Sequence, residues 1–292
     1  MARIALDRTH GLREARIMTN EGSGRHPLDE ATRIDWSEPG SGRGATHPAY
    51  GNMVGPFGGT TMAVLLRAVL DHPARRGVPF ALTVNYCTAV ADGAFEIASR
   101  LVRDGRSVQH WTMELVQDGA VAATGSAVTG TERETFSHQT VPAPEAPPFE
   151  TVAPLKPQIR VRWLGRYDMR FFEGRGIFDG PADAPPGSAR TAMWIADKPA
   201  RPLDFISLAA LSDAFIVRIF HLRGRPARAG TVSITTYFYA TEADLARQGT
   251  RPLIAVADGR VFRHGFHDQT GELWGADGTL LAVTTQTVWY KE

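Results

Sequence analysis

The chain has 292 residues, of which 43% are hydrophobic and 22% charged, and its formal net charge at pH 7 is +1. This length and hydrophobic content are sufficient for one or two globular domains. The near-zero net charge excludes a general electrostatic attraction to nucleic acid or to an anionic membrane, so we expect neither as a partner.

Residues 1–45 are predicted to be an N-terminal extension rather than a domain, because charged residues alternate there with Gly and Ser. Charges at Arg3, Asp7 and Arg8 interrupt any signal-peptide core, and no run of about 18 apolar residues follows, which predicts a cytoplasmic protein. The glycine-rich segment 40–44 follows no strand and precedes no suitably placed lysine. We therefore interpret it as a flexible linker rather than a nucleotide-binding loop.

The first repeat, residues 46–137, combines one apolar helix with a series of strands. The helix is predicted around Met62 to Leu70, where nearly every side chain is apolar, so other elements must cover it on most sides. Strands are predicted at 80–87, 95–103, 108–116 and 121–129. Asp-Gly pairs separate these strands, and because Asp and Gly tolerate the positive φ of tight hairpins, they predict an antiparallel meander.

A proline-rich linker, residues 138–158, precedes a second repeat at residues 159–292. The linker composition suits neither a helix nor a central strand. The second repeat is predicted to contain a lead strand at 163–172, a helix at 203–220 and strands at 231–239, 253–261, 265–274 and 280–290. Both repeats end in two strands joined by an Asp-Gly turn, so the chain is interpreted as one α+β unit written twice.

Cysteine and histidine placement gives little support to metal or thiol chemistry. Cys87 is the single cysteine and lies in a strand-like run, so a buried, unreactive thiol is expected. His264 and His267 are three apart in a predicted strand and should face opposite sides, so with Asp268 they are not expected to bind a metal. No Gly-x-Ser-x-Gly motif supports a serine hydrolase of the α/β type.

The order of motifs across the two repeats resembles the double hotdog proteins of the acyl-CoA thioesterase II group. The motifs are Gly55-Pro-Phe-Gly-Gly, Gly105-Arg-Ser, Leu211-Ser-Asp-Ala-Phe and Asp277-Gly leading to Thr285-Gln286. The resemblance runs from about residue 48 to the end. It implies an α+β double hotdog fold, with two tandem antiparallel sheets each wrapped around one long helix. It also implies acyl-CoA as the substrate and hydrolysis to free acid and coenzyme A without a cofactor.

The same resemblance implies which residues hold the attacking water. An Asp on the second helix, a Thr or Ser on the following strand and a Gln on the last strand correspond to Asp213, Ser233 and Gln286. Thr235, two residues on along the same strand face, is the alternative hydroxyl. The residues three and four positions from Asp213 are apolar, so its partner must come from elsewhere in the fold.

Backbone amides at the start of the first helix, at Phe57, Gly58 and Gly59, are the natural donors for the oxyanion of a tetrahedral intermediate. Alignment of the two Asp-Gly turns puts Ala127 where the second repeat has Gln286, so only one repeat keeps the polar group.

Two other functions remain open on sequence grounds. An enoyl-CoA hydratase or dehydratase of the same fold would use an Asp–His pair, for which His221 is the one histidine near Asp213 in the second-helix segment. An acyl-CoA-binding module without activity is the third possibility. The sequence does not fix the number of subunits, and a homo-oligomer is compatible with it.

Overall fold

The computed structural model describes residues 24–156, 161–174 and 188–291. It begins with a short helix, α1 (Pro27–Ala31), and a hairpin of two strands, β1 (Asp35–Glu38) and β2 (Ser41–Ala45). The glycine-rich segment 40–44 was predicted to be a flexible linker, and that prediction is wrong because most of it is β2. Side chains at Gly42 and Gly44 would collide with the Trp36 and Phe95 rings, so these glycines permit close strand packing.

The first repeat contains helix α2 (Gly58–Leu70) and strands β3 (Val78–Tyr86), β4 (Ala94–Asp104), β5 (Val108–Gln117) and β6 (Ala120–Gly130). Each predicted strand of this repeat is confirmed to within two residues at either end. Asp118 and Gly119 form the turn between β5 and β6, and both have the positive φ that a tight hairpin requires. Most of α2 is buried, as its apolar composition predicts.

The second repeat contains more elements than the sequence predicts. Its strands are β7 (Tyr167–Glu173), β8 (Thr191–Asp197), β9 (Arg228–Phe238), β10 (Leu253–Asp258), β11 (Phe262–Arg263), β12 (Phe266–Trp274) and β13 (Leu280–Lys291). Its helices are α3 (Phe205–Leu211), α4 (Arg218–Arg223) and α5 (Glu242–Gln248). Strands β8 and β11 and helix α5 were not predicted. Within the described ranges, no helix is both long and apolar enough to cross a bilayer.

The helix predicted at 203–220 is broken, and this changes the setting of Asp213. Helix α3 ends at Leu211, where the Ser212 hydroxyl donates to the carbonyl oxygen of Leu208 at 2.8 Å. The chain resumes helical geometry only after Val217, whose φ of −55° and ψ of 134° are non-helical. The Arg218 side chain donates to the carbonyl oxygen of Ile216, which satisfies a backbone group that the break leaves outside the helix.

The described strands join in one antiparallel sheet with the order β1-β2-β4-β5-β6-β3-β9-β13-β12-β10-β8-β7, and β11 pairs with β12. The repeats meet where β3 pairs with β9, with Thr83 opposite Thr235. Helices α2 and α3 pack against each other on one side of the sheet. We call that side of the sheet the inner face and the other side the outer face. Two sheet halves, each curved around a helix, form the expected α+β double hotdog.

The proline-rich segment packs on the outer face of the second repeat. Ala143 and Ala146 contact a cluster that includes Trp274. The Trp194 indole Nε1 donates to the carbonyl oxygen of Pro147 at 2.9 Å. The connection between the repeats therefore covers the outer face around β8, β10 and β12.

Candidate functional site

Asp213 lies just beyond the end of α3, with its carboxylate against the first turn of α2. Its relative exposure is 8%. A Cβ atom added to Gly58 would lie 2.5 Å from Oδ2 of Asp213 and 2.9 Å from the Tyr86 hydroxyl. This close approach requires glycine at position 58. The acid of the second repeat therefore meets the helix start of the first.

Burial raises the pKa of Asp213 to about 7, because the ionised carboxylate loses hydration. Hydrogen bonding from the Gln286 side chain and from the backbone N–H of Gly59 opposes this effect and lowers the pKa. The Gln286 Nε2 lowers the pKa of the carboxyl although it makes no hydrogen bond of ordinary geometry. A carboxyl with a pKa near neutrality can both accept and release a proton.

Gln286 lies on the inner face of β13 and is almost completely buried. Its Oε1 accepts a 2.7 Å hydrogen bond from Oγ1 of Thr231 on the neighbouring strand β9. The structure therefore brings Asp213 and Gln286 together, as the resemblance implied, and adds Thr231 as the hydroxyl that binds the glutamine.

The predicted hydroxyl residues, Ser233 and Thr235, are not beside Asp213. Both lie on the outer face of β9, where Oγ1 of Thr235 is 2.9 Å from Oγ1 of Thr83 across the junction of the repeats. Gln286 is opposite Ile234, a buried inner-face residue. The assignment of the site hydroxyl to Ser233 or Thr235 is therefore wrong.

A β-bulge at Val232 places Thr231 on the opposite face of β9 from Ser233 and Thr235. Ser233 lies opposite Thr287, but Thr231 lies opposite the next residue of β13, Val288, so β9 has one extra residue at this point. The extra residue reverses the alternation of side chains, and Thr231 joins the inner face although simple period-two counting assigns it to the outer one.

The three residues predicted to hold the oxyanion have different roles. The Phe57 N–H donates to the carbonyl oxygen of Tyr50 at 2.7 Å, so it is already engaged, and the prediction for this amide is wrong. The Phe57 ring instead stacks on Trp163 with ring centroids 4.3 Å apart. The Gly59 N–H interacts with the Asp213 carboxylate. Gly58 is the first residue of α2, so its N–H has no acceptor within the helix.

Tyr86 supports this helix start and was missed by the sequence analysis. Its hydroxyl donates to the carbonyl oxygen of Gly58 at 2.8 Å. Burial and the nearby Asp213 carboxylate raise the pKa of Tyr86 well above its usual value, so the hydroxyl remains a donor. Its position at the end of β3 gave no sequence signal for this contact.

A cavity of about 490 Å³ opens beside Asp213. Its polar lining includes Asp213 and Thr231, and its apolar wall includes Phe57, Trp163, Phe215, Ile216 and Phe220. Exposed residues at its mouth include Met53, Val54, Cys87 and Trp289. Among the described residues that line it, none is a histidine. The arrangement can enclose an apolar group and hold its polar end against Asp213.

Cys87 is exposed, so the prediction of a buried thiol is wrong. Strand β3 ends at Tyr86, and Cys87 lies just beyond it, where the chain borders the cavity mouth. The strand-like composition of 80–87 predicted the strand but not the point at which it ends.

The other half of the fold has no equivalent site, because its matching positions are occupied by an apolar residue and by paired charged residues. Ala127 is buried on the inner face of β6 and offers no polar group. At the start of α3, the Asp204 side chain accepts from the Ser207 N–H at 2.8 Å, and Arg201 bridges Asp204 to Asp29 of α1. This difference between the repeats agrees with the expectation that only one of them carries the polar group.

The two histidines considered for a metal site, His264 and His267, have different surroundings. His264 has a positive φ between β11 and β12, and His267 is buried with Nδ1 2.9 Å from the carbonyl oxygen of Asp268. Within the described part of the chain, no group of three His, Cys, Asp or Glu side chains could hold a metal ion.

Arg218 is a further residue that the sequence did not reveal. It is completely buried at the start of α4 and donates to Oγ1 of Thr191 at 2.7 Å and to Oε1 of Gln269 at 3.1 Å. Burial lowers the pKa of Arg218 to about 9, which leaves it charged at neutral pH. It connects the segment between α3 and α4, which carries Asp213, to strands β8 and β12.

Comparison with known proteins places this geometry in a family. A family model for the acyl-CoA thioesterase C-terminal domain matches residues 138–290, and one for the acyl-CoA thioesterase N-terminal domain matches residues 47–130. No curated protein matches the chain.

Solved structures give the same fold. A conserved protein of unknown function with hot dog fold from Alicyclobacillus acidocaldarius is 41% identical, with a TM-score of 0.87, and the match covers 92% of this chain and 99% of that one. The acyl-CoA thioesterase II TesB2 from Mycobacterium marinum is 19% identical, with a TM-score of 0.72 and coverage of 90% and 98%. The chain therefore belongs to the acyl-CoA thioesterase family and is a double hotdog thioesterase.

Proposed function

We propose that the chain hydrolyses acyl-CoA thioesters at the cavity beside Asp213, using a water held by Asp213, Thr231 and Gln286. The observation that carries the proposal is the buried Asp213 carboxylate, with a pKa of about 7, between the start of α2 and the Gln286 amide. A water activated in this position needs neither a metal nor a covalent intermediate to attack a thioester.

Asp213 acts as the general base. It takes a proton from the attacking water as the new carbon–oxygen bond forms. When the tetrahedral intermediate collapses, the carbon–sulfur bond breaks, and the leaving thiolate of coenzyme A takes up that proton. A carboxyl whose pKa lies near the working pH suits both steps, because it accepts and releases the proton without a large free-energy change.

Gln286 and Thr231 orient the water and the base. The hydrogen bond from Thr231 occupies Oε1 of Gln286, so the amide Nε2 is the group that remains for Asp213 or for a bound water. Two neighbouring strands thus hold a donor near the carboxylate without adding a positive charge. The arrangement favours one water position, which contributes to the rate through orientation.

The start of α2 stabilises the oxyanion. The Gly58 N–H is free of intrahelical acceptors, and the partial positive charge of the helix N-terminus favours developing negative charge on the carbonyl oxygen. The Gly59 N–H interacts with the Asp213 carboxylate instead. Fewer backbone N–H groups are therefore available to the oxyanion than the sequence predicted. The acyl group occupies the apolar part of the cavity, and the coenzyme A part extends through the exposed mouth.

A hydratase reaction on this fold receives no support. It would need a histidine paired with the acid, and no histidine is among the described residues lining the cavity. His221, the candidate from the sequence, is buried on α4 and contacts the Phe171 ring.

Hydrolysis of a panel of acyl-CoA thioesters of increasing chain length tests the proposal. The loss of thioester absorbance should be followed, because the exposed Cys87 would react with a thiol reagent. We expect turnover by the native protein and a loss of roughly 10²–10⁴-fold in Asp213→Asn. Binding of acyl-CoA without turnover by the native protein at any chain length would instead indicate an inactive acyl-CoA-binding module and would overturn the proposal.

A further inference from the structure

The cavity beside Asp213 continues around a free edge of β9. Strand β3 pairs with β9 only as far as Ser233, so among the described strands none pairs with residues 228–232 on that side. The cavity lining includes Gly230 and Trp289 as well as Asp213. A ligand can therefore pass from the outer face of the sheet, over the edge of β9, to the acid on the inner side.

Two exposed aromatic side chains lie side by side on the outer face at this opening. Trp289 is three positions beyond the inward-facing Gln286 and so points outward. It pairs with Phe266 of β12 on one side and with Gly230 of β9 on the other. The exposed fractions of Trp289 and Phe266 are 39% and 47%. A Cβ atom added to Gly230 would lie 2.9 Å from Nε1 of Trp289, so the glycine lets the indole lie across β9.

Three cationic side chains border this aromatic row. Arg228 pairs with Lys291 directly across β9 and β13, and Arg263 of β11 pairs with Phe266. All three cations are exposed. The ion pairs among the described residues include none of them. Like charges directly opposite each other on neighbouring strands are unfavourable, and an anion bound beside Arg228 and Lys291 would offset that repulsion.

One carboxylate, that of Asp268, also faces outward near the aromatic row. Along the strands, its pairing places it on the opposite side of Trp289 from Lys291. Its Oδ1 accepts hydrogen bonds from the backbone N–H groups of Arg260 and Val261 at 2.9 and 2.8 Å. These donors offset part of its negative charge, so the side of the row that carries Lys291 keeps its positive character.

We propose that this aromatic and cationic surface, which we call the mouth patch, binds the nucleotide end of coenzyme A. The mouth patch consists of Arg228, Arg263, Phe266, Trp289 and Lys291. Coenzyme A ends in a 3′-phosphorylated ADP, which combines one flat purine ring with several phosphate groups. The purine stacks on the Trp289 indole, and the phosphates lie against Arg228 and Lys291. The pantetheine arm then crosses the edge of β9 and brings the thioester to Asp213.

The inference rests on the proposed function for the identity of the ligand, but nucleotide binding can be measured without turnover. The patch is local, and the net charge of +1 provides no extended positive field. This combination favours a small phosphorylated ligand over a nucleic acid, which would need phosphate contacts along an extended surface.

Isothermal titration calorimetry with free coenzyme A and with pantetheine, which lacks the nucleotide, tests the inference. We expect the native protein to bind coenzyme A at least about tenfold more tightly than pantetheine, because stacking of one base contributes about that much. Trp289→Ala and Arg228→Glu should each weaken coenzyme A binding about tenfold. Arg100→Glu is the matched control, because it makes the same charge reversal at an exposed outward position of β4, away from the cavity mouth.

Steady-state kinetics separates a binding role of the patch from a structural one. With an acyl-CoA substrate, Trp289→Ala and Arg228→Glu should raise KM about tenfold and leave kcat near its native value. With the same acyl group on pantetheine, kcat/KM should not change, because that substrate does not reach the mouth patch. Loss of structure would instead lower kcat/KM for both substrates, and circular dichroism verifies that each variant is folded.

Three results would overturn the inference. They are equal native affinity for coenzyme A and pantetheine, native coenzyme A affinity in both Trp289→Ala and Arg228→Glu, and an equal loss of affinity in Arg100→Glu. Failure of the proposed function gives a different pattern. A protein that hydrolyses no acyl-CoA but binds coenzyme A through Trp289 and Arg228 would contradict hydrolysis and still support the mouth patch.

Discussion

The Thr231 hydroxyl donates a 2.7 Å hydrogen bond to Oε1 of Gln286, and this bond links β9 to β13 on the inner face of the sheet. A carboxamide carries its oxygen and nitrogen on one carbon, so fixing Oε1 also fixes the direction of Nε2. The Gln286 amide in turn lowers the pKa of Asp213. Thr231 therefore acts on the acid through the glutamine as well as through the water that both would hold.

Replacement of Thr231 with Val should reduce kcat about 10- to 100-fold with the fold retained. The change preserves the shape of the side chain but removes the donor to Oε1, and one lost hydrogen bond at a buried site is worth about 1–3 kcal/mol. Thr235→Val is the matched control, since the two residues share a strand but lie on opposite faces. Steady-state kinetics on one acyl-CoA should show near-native turnover for the control. Equal losses in both variants would contradict the assignment of Thr231.

Gln286→Ala should shift the pH dependence of activity upward. Burial raises the pKa of Asp213, and the Gln286 amide opposes that rise. The pKa of Asp213 should therefore rise further when the amide is removed. The measurement is the pH at which kcat/KM reaches half its plateau. An unchanged midpoint with reduced kcat would mean that Gln286 acts only on the substrate or the water.

Activity of the native protein should rise as the pH increases through about 7 and then reach a plateau. Asp213 accepts a proton only when it is ionised, and its pKa in the folded protein is about 7. Below that value, kcat/KM should fall about tenfold per pH unit. A profile that stays flat from pH 5 to 9 would exclude Asp213 as the general base.

The raised pKa of Asp213 also means that this residue lowers the stability of the folded protein at neutral pH. The pKa in the folded state lies above that of the unfolded chain, so the folded protein binds more protons between about pH 4 and 7, and stability falls as pH rises across this window. Asp213→Asn removes this loss. Its gain in unfolding free energy over the native protein should be larger at pH 8 than at pH 4, by at most about 4 kcal/mol for a pKa raised from 3.8 to about 7. Thermal unfolding at both pH values measures the difference, and an equal gain at both would contradict the raised pKa.

The sequence predicted the strands where local chemistry sets their limits. Asp118 and Gly119 provide the positive φ of a tight turn, so β5 and β6 could be bounded from composition alone. The bulge at Val232 has no such signature, because it depends on how β9 aligns with β13, and one extra residue reverses every side chain beyond it. Period-two counting puts Thr231 on the same face as Ser233 and Thr235, so it could not single out Thr231 as the hydroxyl of the inner face. The exposure of Cys87 was missed for a similar reason, since where β3 ends depends on its neighbours.

Gly58→Ala should abolish most activity while leaving the protein folded. The added Cβ would lie 2.5 Å from Oδ2 of Asp213 and 2.9 Å from the Tyr86 hydroxyl, so the carboxylate or the helix start must move. We expect a loss of about 10²-fold in kcat, since displacement of a base by about 1 Å has effects of that size. Gly165→Ala is the matched control, because no atom lies within 4 Å of its added Cβ. Near-native kcat in Gly58→Ala would show that the close approach of α2 to Asp213 is not needed.

Arg218→Met should destabilise the protein and lower kcat without moving the pH midpoint. Methionine keeps much of the buried volume but removes the donors to Oγ1 of Thr191, to Oε1 of Gln269 and to the carbonyl oxygen of Ile216. Unpaired buried groups of this kind cost about 1–3 kcal/mol each, so the free energy of unfolding should fall by roughly 3 kcal/mol or more. The segment that carries Asp213 would then be less well held. Arg218 is not among the groups that shift the pKa of Asp213, which is why the midpoint of the pH dependence should not change.

Arg218→Lys is the comparison for this prediction. Lysine retains the charge but loses the planar arrangement of donors, so it should recover only part of the stability and of kcat. Full recovery by lysine would assign the role of Arg218 to its charge rather than to its hydrogen bonds.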